Sequence, residues 1–296
     1  MRSCDIMIID CHYHLDPNIQ PVENLLLKMD QNGIDKTVLM SVMCDPIPHI
    51  PEFLIKTLQF FLTHRFGRGL AKRMTANFTS EGELVFPIGN VRIYQDPENE
   101  PVAEAISSQP DRFLGWIFVN PRGQHDPIEE LEKWKDHKGF VGVKAHPFWH
   151  RYPPKELLPV AEKASEAGFP LLIHAGFGDH GDFLQLSDNL PNLKLILAHA
   201  GFPEYSDTWK IIRNRSGIWI DLSADAYVNL KTTRNAVEFL GVDRCLFGTD
   251  GPYGKVSNDK LFDNGFLKRR IESLFPDQGI QKRLLGDNFS DIISDR

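Results

Sequence analysis

Short apolar runs recur along the chain, and amphipathic segments separate them. Each run has about the length of a strand, and its near-continuous apolar character is typical of strands buried on both faces of a parallel sheet. The eight runs cover residues 6–14, 37–42, 113–119, 140–146, 170–174, 193–199, 218–222 and 244–250. We number the predicted strands in this order.

Predicted helices fill the intervals between these strands. Residues 23–32 place apolar side chains at helical spacing, and Gly33 follows as a helix stop. Further helices are predicted over residues 101–107, 127–135, 155–167, 181–189, 232–240 and 259–293. Eight strand–helix repeats in 296 residues favour the α/β class, as a (β/α)8 TIM barrel, over an open doubly wound sheet. No glycine-rich dinucleotide motif follows the first strand, which also argues against the open sheet.

Residues 45–90 depart from this rhythm. They carry several prolines, an aromatic helical stretch over residues 53–66 and a glycine-rich basic turn. We interpret residues 1–296 as a single barrel domain and residues 45–90 as a helical insertion after the second strand. The insertion is either a lid over one end of the barrel or a simple extra hairpin. The aromatic side chains that a lid would use to exclude water or to bury a partner subunit are Phe53, Phe60, Phe61 and Phe66.

Composition narrows the classes of partner. The formal net charge is −7, and the longest basic run is residues 268–270, so we expect neither nucleic acid nor an anionic membrane as a partner. No apolar stretch reaches the roughly 18 residues of a membrane span, and the N-terminus lacks the features of a signal peptide. Cys11 and Cys245 lie in predicted core strands, which favours reduced thiols and a cytoplasmic location.

Two histidines close the first apolar run. His12 and His14 are separated by one residue, and because side chains alternate along a strand they point to the same side. Two imidazoles on one face form a ready pair of metal ligands. An isolated pair of this kind is also compatible with two hydrogen-bonded histidines at a strand end.

Polar residues at the ends of other strands favour the metal site. In a closed parallel barrel, the carboxyl ends of all strands meet at one mouth, so residues far apart in sequence converge there. The polar residues that end the fourth, fifth, sixth and eighth strands are Lys144, His146, His174, His199 and Asp250.

These residue types suit a divalent ion. Two imidazoles, a third imidazole from another strand and a carboxylate would bind zinc or a similar metal and leave room for a water molecule. The metal would lower the pKa of that water towards neutrality. A carboxylate in contact with metal and water can take the proton and deliver it to a leaving group, and Asp250 fits that role.

The strand-end motifs together resemble those of the amidohydrolase superfamily, and in particular its amidohydrolase-related branch. This branch holds metal-dependent hydrolases, lactonases and decarboxylases related to aminocarboxymuconate-semialdehyde decarboxylase. The resemblance extends from residue 6 to the closing L-L-G-D-N-F and leaves out only the insertion. The motifs that carry it are I-I-D-C-H-Y-H, G-V-K-A-H-P, L-L-I-H-A-G, I-L-A-H-A-G and F-G-T-D.

The resemblance implies roles for individual residues. His12, His14, His174 and Asp250 would bind the metal. His199 would hydrogen-bond the metal-bound water or polarise the substrate carbonyl, with Asp250 as its catalytic partner. The alternative for His199 is a histidine that only packs at the barrel mouth.

Lys144 raises the question of a second metal. In binuclear members of the superfamily, a carboxylated lysine that ends the fourth strand bridges two ions. Here Lys144 lies one inward step deeper, so we expect it in the barrel wall, paired with Asp10 or Asp221. We therefore predict one divalent ion, zinc or alternatively manganese. Lys144, His146 and Trp149 are the candidates for contact with a small-molecule substrate.

Three functions remain open, and we favour the first. A metal-dependent hydrolase would act on a small ester, lactone or amide through a metal-bound hydroxide. A non-oxidative decarboxylase of a small aromatic or unsaturated acid would need an arginine near the mouth to hold the carboxylate. The possible arginines are Arg65, Arg68, Arg73, Arg92, Arg122 and Arg151. A barrel that binds without turnover ranks last because every expected ligand is present. By resemblance alone, a homodimer is possible.

Overall fold

The computed structural model describes residues 6–47, 50–80, 82–86 and 89–294. Its centre is an eight-stranded parallel sheet. Numbered along the chain, the strands of this sheet are β1 (Ile9–Leu15), β2 (Lys36–Ser41), β5 (Phe113–Phe118), β6 (Phe140–Ala145), β7 (Leu171–Ile173), β8 (Leu195–Leu197), β9 (Ile218–Asp221) and β10 (Cys245–Leu246). They pair with one another in this same order. The predicted (β/α)8 TIM barrel is thereby confirmed.

Backbone hydrogen bonds between β1 and the residues after β10 close the barrel. The amide of Cys11 donates to the carbonyl of Phe247 (3.0 Å), the amide of Asp250 donates to the carbonyl of His12 (2.7 Å), and the amide of His14 donates to the carbonyl of Gly251 (2.6 Å). The last barrel strand, β10, covers only Cys245–Leu246, whereas the sequence predicted a strand over residues 244–250. Residues 247–251 nevertheless run alongside β1. This contact holds Asp250 beside the two histidines.

Helices surround the sheet. The helices that follow the barrel strands are α1 (Val22–Asn32), α4 (Glu100–Ser108), α5 (Pro127–Trp134), α6 (Pro147–His150), α7 (Leu158–Glu166), α8 (Leu184–Asn189), α9 (Ser206–Ile212), α10 (Leu230–Leu240), α11 (Gly265–Leu274), α12 (Gln278–Lys282) and α13 (Asn288–Ile293). The sequence did not indicate α6 or α9, and the last helical region begins at Gly265 instead of residue 259. Over the described residues, no helix is both long and apolar enough to cross a membrane.

The insertion after β2 is mainly helical. It contains α2 (Glu52–Thr63), α3 (Arg68–Thr75) and a small antiparallel hairpin of β3 (Leu84–Phe86) and β4 (Gly89–Val91). Arg68 of α3 forms an ion pair with Asp207 at 2.9 Å and another with Glu204. These contacts fix the insertion to the segment around α9. Its action as a lid stays a prediction.

The core has an inner and an outer part. Inside the barrel, Cys11, Val38, Met40 and Trp116 belong to one buried cluster, and the indole nitrogen of Trp116 donates to the carbonyl of Cys11 at 2.9 Å. A larger buried cluster joins the outer strand faces to the helices. Both cysteines predicted in core strands, Cys11 and Cys245, are buried free thiols.

Candidate metal centre

A β-bulge in β1 aims the two histidines into the barrel mouth. Asp10 pairs with Thr37 of β2, whereas Tyr13 pairs with Leu39, so three steps along β1 match two steps along β2. Such an extra residue re-aims the side chains that follow it. Tyr13 consequently packs in the outer cluster, and His12 and His14 face inward.

The two inward histidines converge on Asp250. Nε2 of His12 lies 3.1 Å from Oδ1 of Asp250, and Nε2 of His14 lies 3.5 Å from the same oxygen. One ligand atom from each of the three residues lies within 4.8 Å of the others, a spacing that could hold a metal ion. Asp250 adopts the left-handed backbone region with φ of 61°, a conformation that non-glycine residues rarely take and that is concentrated at functional sites.

Groups behind the histidines orient both rings. Nδ1 of His12 lies 2.8 Å from Oδ2 of Asp221, and Nδ1 of His14 lies 3.1 Å from the carbonyl oxygen of Ser41. Because a carboxylate and a carbonyl only accept, each Nδ1 carries a proton, and each Nε2 is the nitrogen that points to the mouth beside Asp250. A metal ion bound there would displace any proton from Nε2, because a histidine ligand must be deprotonated at the nitrogen that binds the metal.

The charged state of Asp250 also suits an ion. Burial alone would raise the pKa of this carboxyl, but His199 and hydrogen bonds from His12 and His14 outweigh the burial and hold the pKa well below its usual range. Asp250 is therefore an anion at neutral pH and an acceptor in the mouth.

His199 and His174 lie directly beside this group. Nε2 of His199 is 3.1 Å from Nδ1 of His174, and the His199 ring stacks on His12 with centroids 5.1 Å apart. Burial lowers the pKa of His199 to about 4 and also lowers that of His174, so both rings are neutral. His174 is attached to the predicted ligand group through His199, and its role as a metal ligand stays a prediction.

Asp221 and Ser223 are site residues that the sequence analysis did not recognise as such. Asp221 is fully buried at the end of β9. Burial would raise its pKa, but His12, His199 and Ser223 hold the pKa far below its usual range. The available signal was a polar residue, Asp221, next to the last position of the seventh predicted strand, 218–222.

Lys144, His146 and Trp149 form the other side of the mouth. His146 stacks on Trp149 with centroids 4.9 Å apart and lies 4.1 Å from the His174 ring. Nδ1 of His146 accepts the backbone N–H of Trp149 at 3.1 Å, which leaves the ring proton on Nε2. Nζ of Lys144 and Nε1 of Trp149 are buried and have no hydrogen-bond partner among the described residues.

The predicted ion pair of Lys144 with Asp10 or Asp221 is wrong. Both carboxylates are already occupied: Asp10 accepts from Thr249, and Asp221 accepts from His12 and Ser223. Burial lowers the pKa of the unpaired Lys144 ammonium to about 8. Lys144 therefore holds a buried donor that no group among the described residues uses.

The residues present fit a divalent ion. Nε2 of His12 is buried without a well-aligned hydrogen bond, although an anionic carboxylate lies beside it. Neutral imidazole nitrogens and a carboxylate are the donor set that zinc prefers, and manganese accepts the same set. His12, His14 and Asp250 would hold the ion, and His174 would join from the adjoining position.

Comparisons with known proteins agree with this architecture. A family model described as Amidohydrolase matches residues 9–288. No curated protein matches the chain in sequence.

Three solved structures illustrate the similarity in fold. The 4-oxalomesaconate hydratase from Rhodopseudomonas palustris has a TM-score of 0.62 at 19% identity, with 97% of this chain and 96% of that chain covered. The 5-carboxyvanillate decarboxylase from Sphingomonas paucimobilis has a TM-score of 0.59 at 15% identity, with 98% and 99% covered. A candidate 2-pyrone-4,6-dicarboxylic acid hydrolase from Pseudomonas putida has a TM-score of 0.62 at 16% identity, with 98% of both chains covered.

Proposed function

Because the chain belongs to the amidohydrolase family, an enzyme family, we propose that it is a metal-dependent hydrolase of a small ester, lactone or amide. The observation that carries this proposal is the convergence of His12, His14 and Asp250, whose ligand atoms lie within 4.8 Å of one another. The cofactor would be one divalent ion, zinc or alternatively manganese. When bound, that ion would polarise a carbonyl and lower the pKa of a water molecule.

Asp250 would move the proton. Its anionic carboxylate lies beside both candidate ligands from β1, so it can accept a proton from an attacking water and return it to the leaving group. His199 is the second candidate for direct participation. In this structure its Nε2 already faces Nδ1 of His174, so contact with substrate would replace that hydrogen bond.

Lys144, His146 and Trp149 would bind the substrate. Two of these side chains hold buried donors without a partner, and His146 carries its proton on Nε2. Carbonyl and carboxylate oxygens are the groups that such donors bind. The aromatic stack of His146 on Trp149 adds a flat apolar surface for the rest of a small molecule.

The arginines favour hydrolysis over the alternative, non-oxidative decarboxylation. Arg68 pairs with Asp207 and Glu204, and Arg122 pairs with Glu156. Arg65 also pairs with Asp207, at 3.1 Å. Three of the six arginines considered as carboxylate binders are thus already engaged by acidic side chains. The fold does not choose between the reactions, since hydratase, hydrolase and decarboxylase structures all resemble it.

A parallel substrate screen tests the proposal. The zinc-loaded and manganese-loaded enzyme is offered esters, lactones, amides and aromatic acids. Ring opening or acid release is followed by proton uptake or release, and carbon dioxide release is followed separately. We expect turnover of a neutral acyl substrate without carbon dioxide. Carbon dioxide release from an aromatic acid, with no hydrolysis, would instead establish the decarboxylase.

A further inference from the structure

We propose that Asp221 and Ser223 are positioning residues that fix which ring nitrogen of His12 and of His199 carries the proton. The inference rests on the proposed function because it gives His12 the role of a metal ligand. It goes beyond that function because it assigns a role to two side chains outside the group of His12, His14 and Asp250. The geometry of one buried hydrogen-bond network carries it.

Backbone and side-chain donors surround the buried carboxylate of Asp221. Its Oδ1 accepts the backbone N–H of His199 at 2.9 Å and that of Ser223 at 3.0 Å. Two such donors stabilise the carboxylate anion. An anion only accepts, so Nδ1 of His12, 2.8 Å from Oδ2, must be the donor. Nε2 of His12 is then the nitrogen that points to the mouth, 3.1 Å from Oδ1 of Asp250.

Ser223, whose side chain is fully buried, lies between His199 and Asp221. Its hydroxyl contacts Oδ1 of Asp221 at short range, and because the anion only accepts, the hydroxyl donates to it. Oγ of Ser223 is then free to accept from Nδ1 of His199, which lies 2.8 Å away. Nε2 of the neutral His199 ring therefore holds a lone pair, and it faces His174.

One carboxylate thus sets both rings. The chain of donors runs from His199 through Ser223 to one oxygen of Asp221, and from His12 to the other oxygen. A neutral histidine with its proton on the wrong nitrogen cannot ligate a metal through that nitrogen. Loss of such outer contacts typically lowers metal affinity by about 10- to 100-fold.

The substitution Asp221→Asn gives a sharp prediction because the two oxygens have different partners. The backbone N–H groups of His199 and Ser223 require the amide oxygen to take the Oδ1 position. The amide nitrogen must then replace Oδ2 and donate towards Nδ1 of His12. His12 is forced to accept there and to place its proton on Nε2, where the ion would bind.

Asp10→Asn is the matched control. Asp10 is equally buried and lies on β1, the strand that carries His12, and its side chain accepts from Thr249 and from the backbone of His12. The same chemical change there touches no imidazole nitrogen. Ser223→Ala is the second test variant, since it removes the hydroxyl that links His199 to Asp221. That hydroxyl also lies 3.4 Å from Nδ1 of His12, but the nearer partner of this nitrogen, Oδ2 of Asp221 at 2.8 Å, stays in place.

The experiment reads the ring protonation in the metal-free protein. Histidine labelled with 15N is incorporated, and long-range 1H–15N spectra distinguish Nδ1–H from Nε2–H rings, with assignment by single histidine variants. Zinc affinity is measured in parallel by competition with a chromophoric chelator. We expect Nδ1–H for His12 and His199 in the wild type and in Asp10→Asn. In Asp221→Asn we expect His12 to lose the Nδ1–H signal and to carry its proton on Nε2, with zinc affinity lower by about 10- to 100-fold.

Ser223→Ala should alter the spectrum of His199 and leave His12 as Nδ1–H, which keeps the test decisive if Asp221→Asn does not fold. Unchanged His12 and His199 spectra in both variants would overturn the inference, even if the wild type binds zinc and is active. Conversely, a wild type that shows the expected protonation but takes up no metal would overturn the proposed function alone. The two failures are therefore distinguishable.

Discussion

The two sides of the barrel mouth satisfy their polar groups in opposite ways. On the metal side, His12, His14 and His199 each direct Nδ1 to a protein acceptor. On the substrate side, Nζ of Lys144 and Nε1 of Trp149 are buried without any partner among the described residues. Both sides are equally part of one closed barrel, so the contrast reflects what each side is built to hold.

The contrast shows how the chain divides its work. The metal side is preorganised: the protein orients every ring from behind and leaves nitrogens and a carboxylate for an ion. The substrate side keeps donors in reserve, and a buried unsatisfied donor costs about 1–3 kcal/mol. Such a cost persists in a natural protein where a ligand relieves it during function.

Loss of the proton carrier should break the metal side most severely. Asp250→Asn replaces an anion with a neutral amide of the same size, so it removes the base. We expect turnover to fall by about 10²- to 10⁴-fold, measured as kcat on whichever substrate the screen identifies. Asp259→Asn, on the loop after β10, should keep near-wild-type turnover. Wild-type turnover in Asp250→Asn would refute the role of this carboxylate.

Removal of one proposed metal ligand, His12, should strongly reduce the metal bound on the same side of the mouth. His12→Ala deletes one nitrogen of the three-residue group, and we expect the metal content to drop from about one ion per chain to a small fraction. Elemental mass spectrometry of the purified variant measures it. His64→Ala, at the exposed C-terminal cap of α2, is the control and should retain its metal. Equal metal content in both variants would mean that His12 is not a ligand.

On the substrate side, Lys144→Met should stabilise the folded protein and at the same time lower its catalytic activity. Methionine fills the same space without a buried, unpaired ammonium, so we expect the free energy of unfolding to rise by about 1–3 kcal/mol while kcat/KM falls. Lys28→Met is the matched control, because the buried ammonium of Lys28 donates to Ser257 at 2.7 Å and to Asp259 at 2.6 Å. Loss of the Lys28 ammonium should lower the free energy of unfolding. A Lys144→Met variant that is destabilised like Lys28→Met would contradict the distinction between the two sides.

The smallest expected effect is the pH dependence contributed by His150. Burial lowers the pKa of His150 to about 4, and a pKa lower in the folded state means that the unfolded chain binds the proton first. Its contribution to stability is therefore complete above the unfolded pKa of about 6.5 and declines as the pH falls towards 4. Between pH 6 and pH 5, the wild type should lose about 1 kcal/mol more than His150→Gln. Denaturant unfolding at both pH values checks this, and parallel losses would count against it.

Much of this comparison was accessible from the sequence. The apolar runs predicted the barrel because buried parallel strands need no alternation, and the strand-end residues predicted the mouth because carboxyl ends converge there. The shared face of His12 and His14 also followed from strand periodicity. Strand periodicity alone does not tell whether that shared face points into the barrel, because the bulge between Asp10 and Tyr13 depends on pairing with β2.

The hydrogen bonds behind the site could not be predicted from the sequence. Asp221 was considered only as a partner of Lys144, but its oxygens are taken up by His12, Ser223 and the backbone of His199. This choice depends on distances between strands that are far apart in sequence. Likewise, α9 is short and packs through tertiary contacts, so its local pattern gave no signal.

We propose that His12, His14 and Asp250, together with His174, hold one divalent ion. The most direct test is the metal stoichiometry of protein purified without chelator, measured by elemental mass spectrometry and repeated after incubation with zinc and with manganese. We expect about one ion per chain. Protein that contains no metal and takes up none would contradict it, and about two ions per chain would contradict the single-ion site and make Lys144 a candidate bridge between metals.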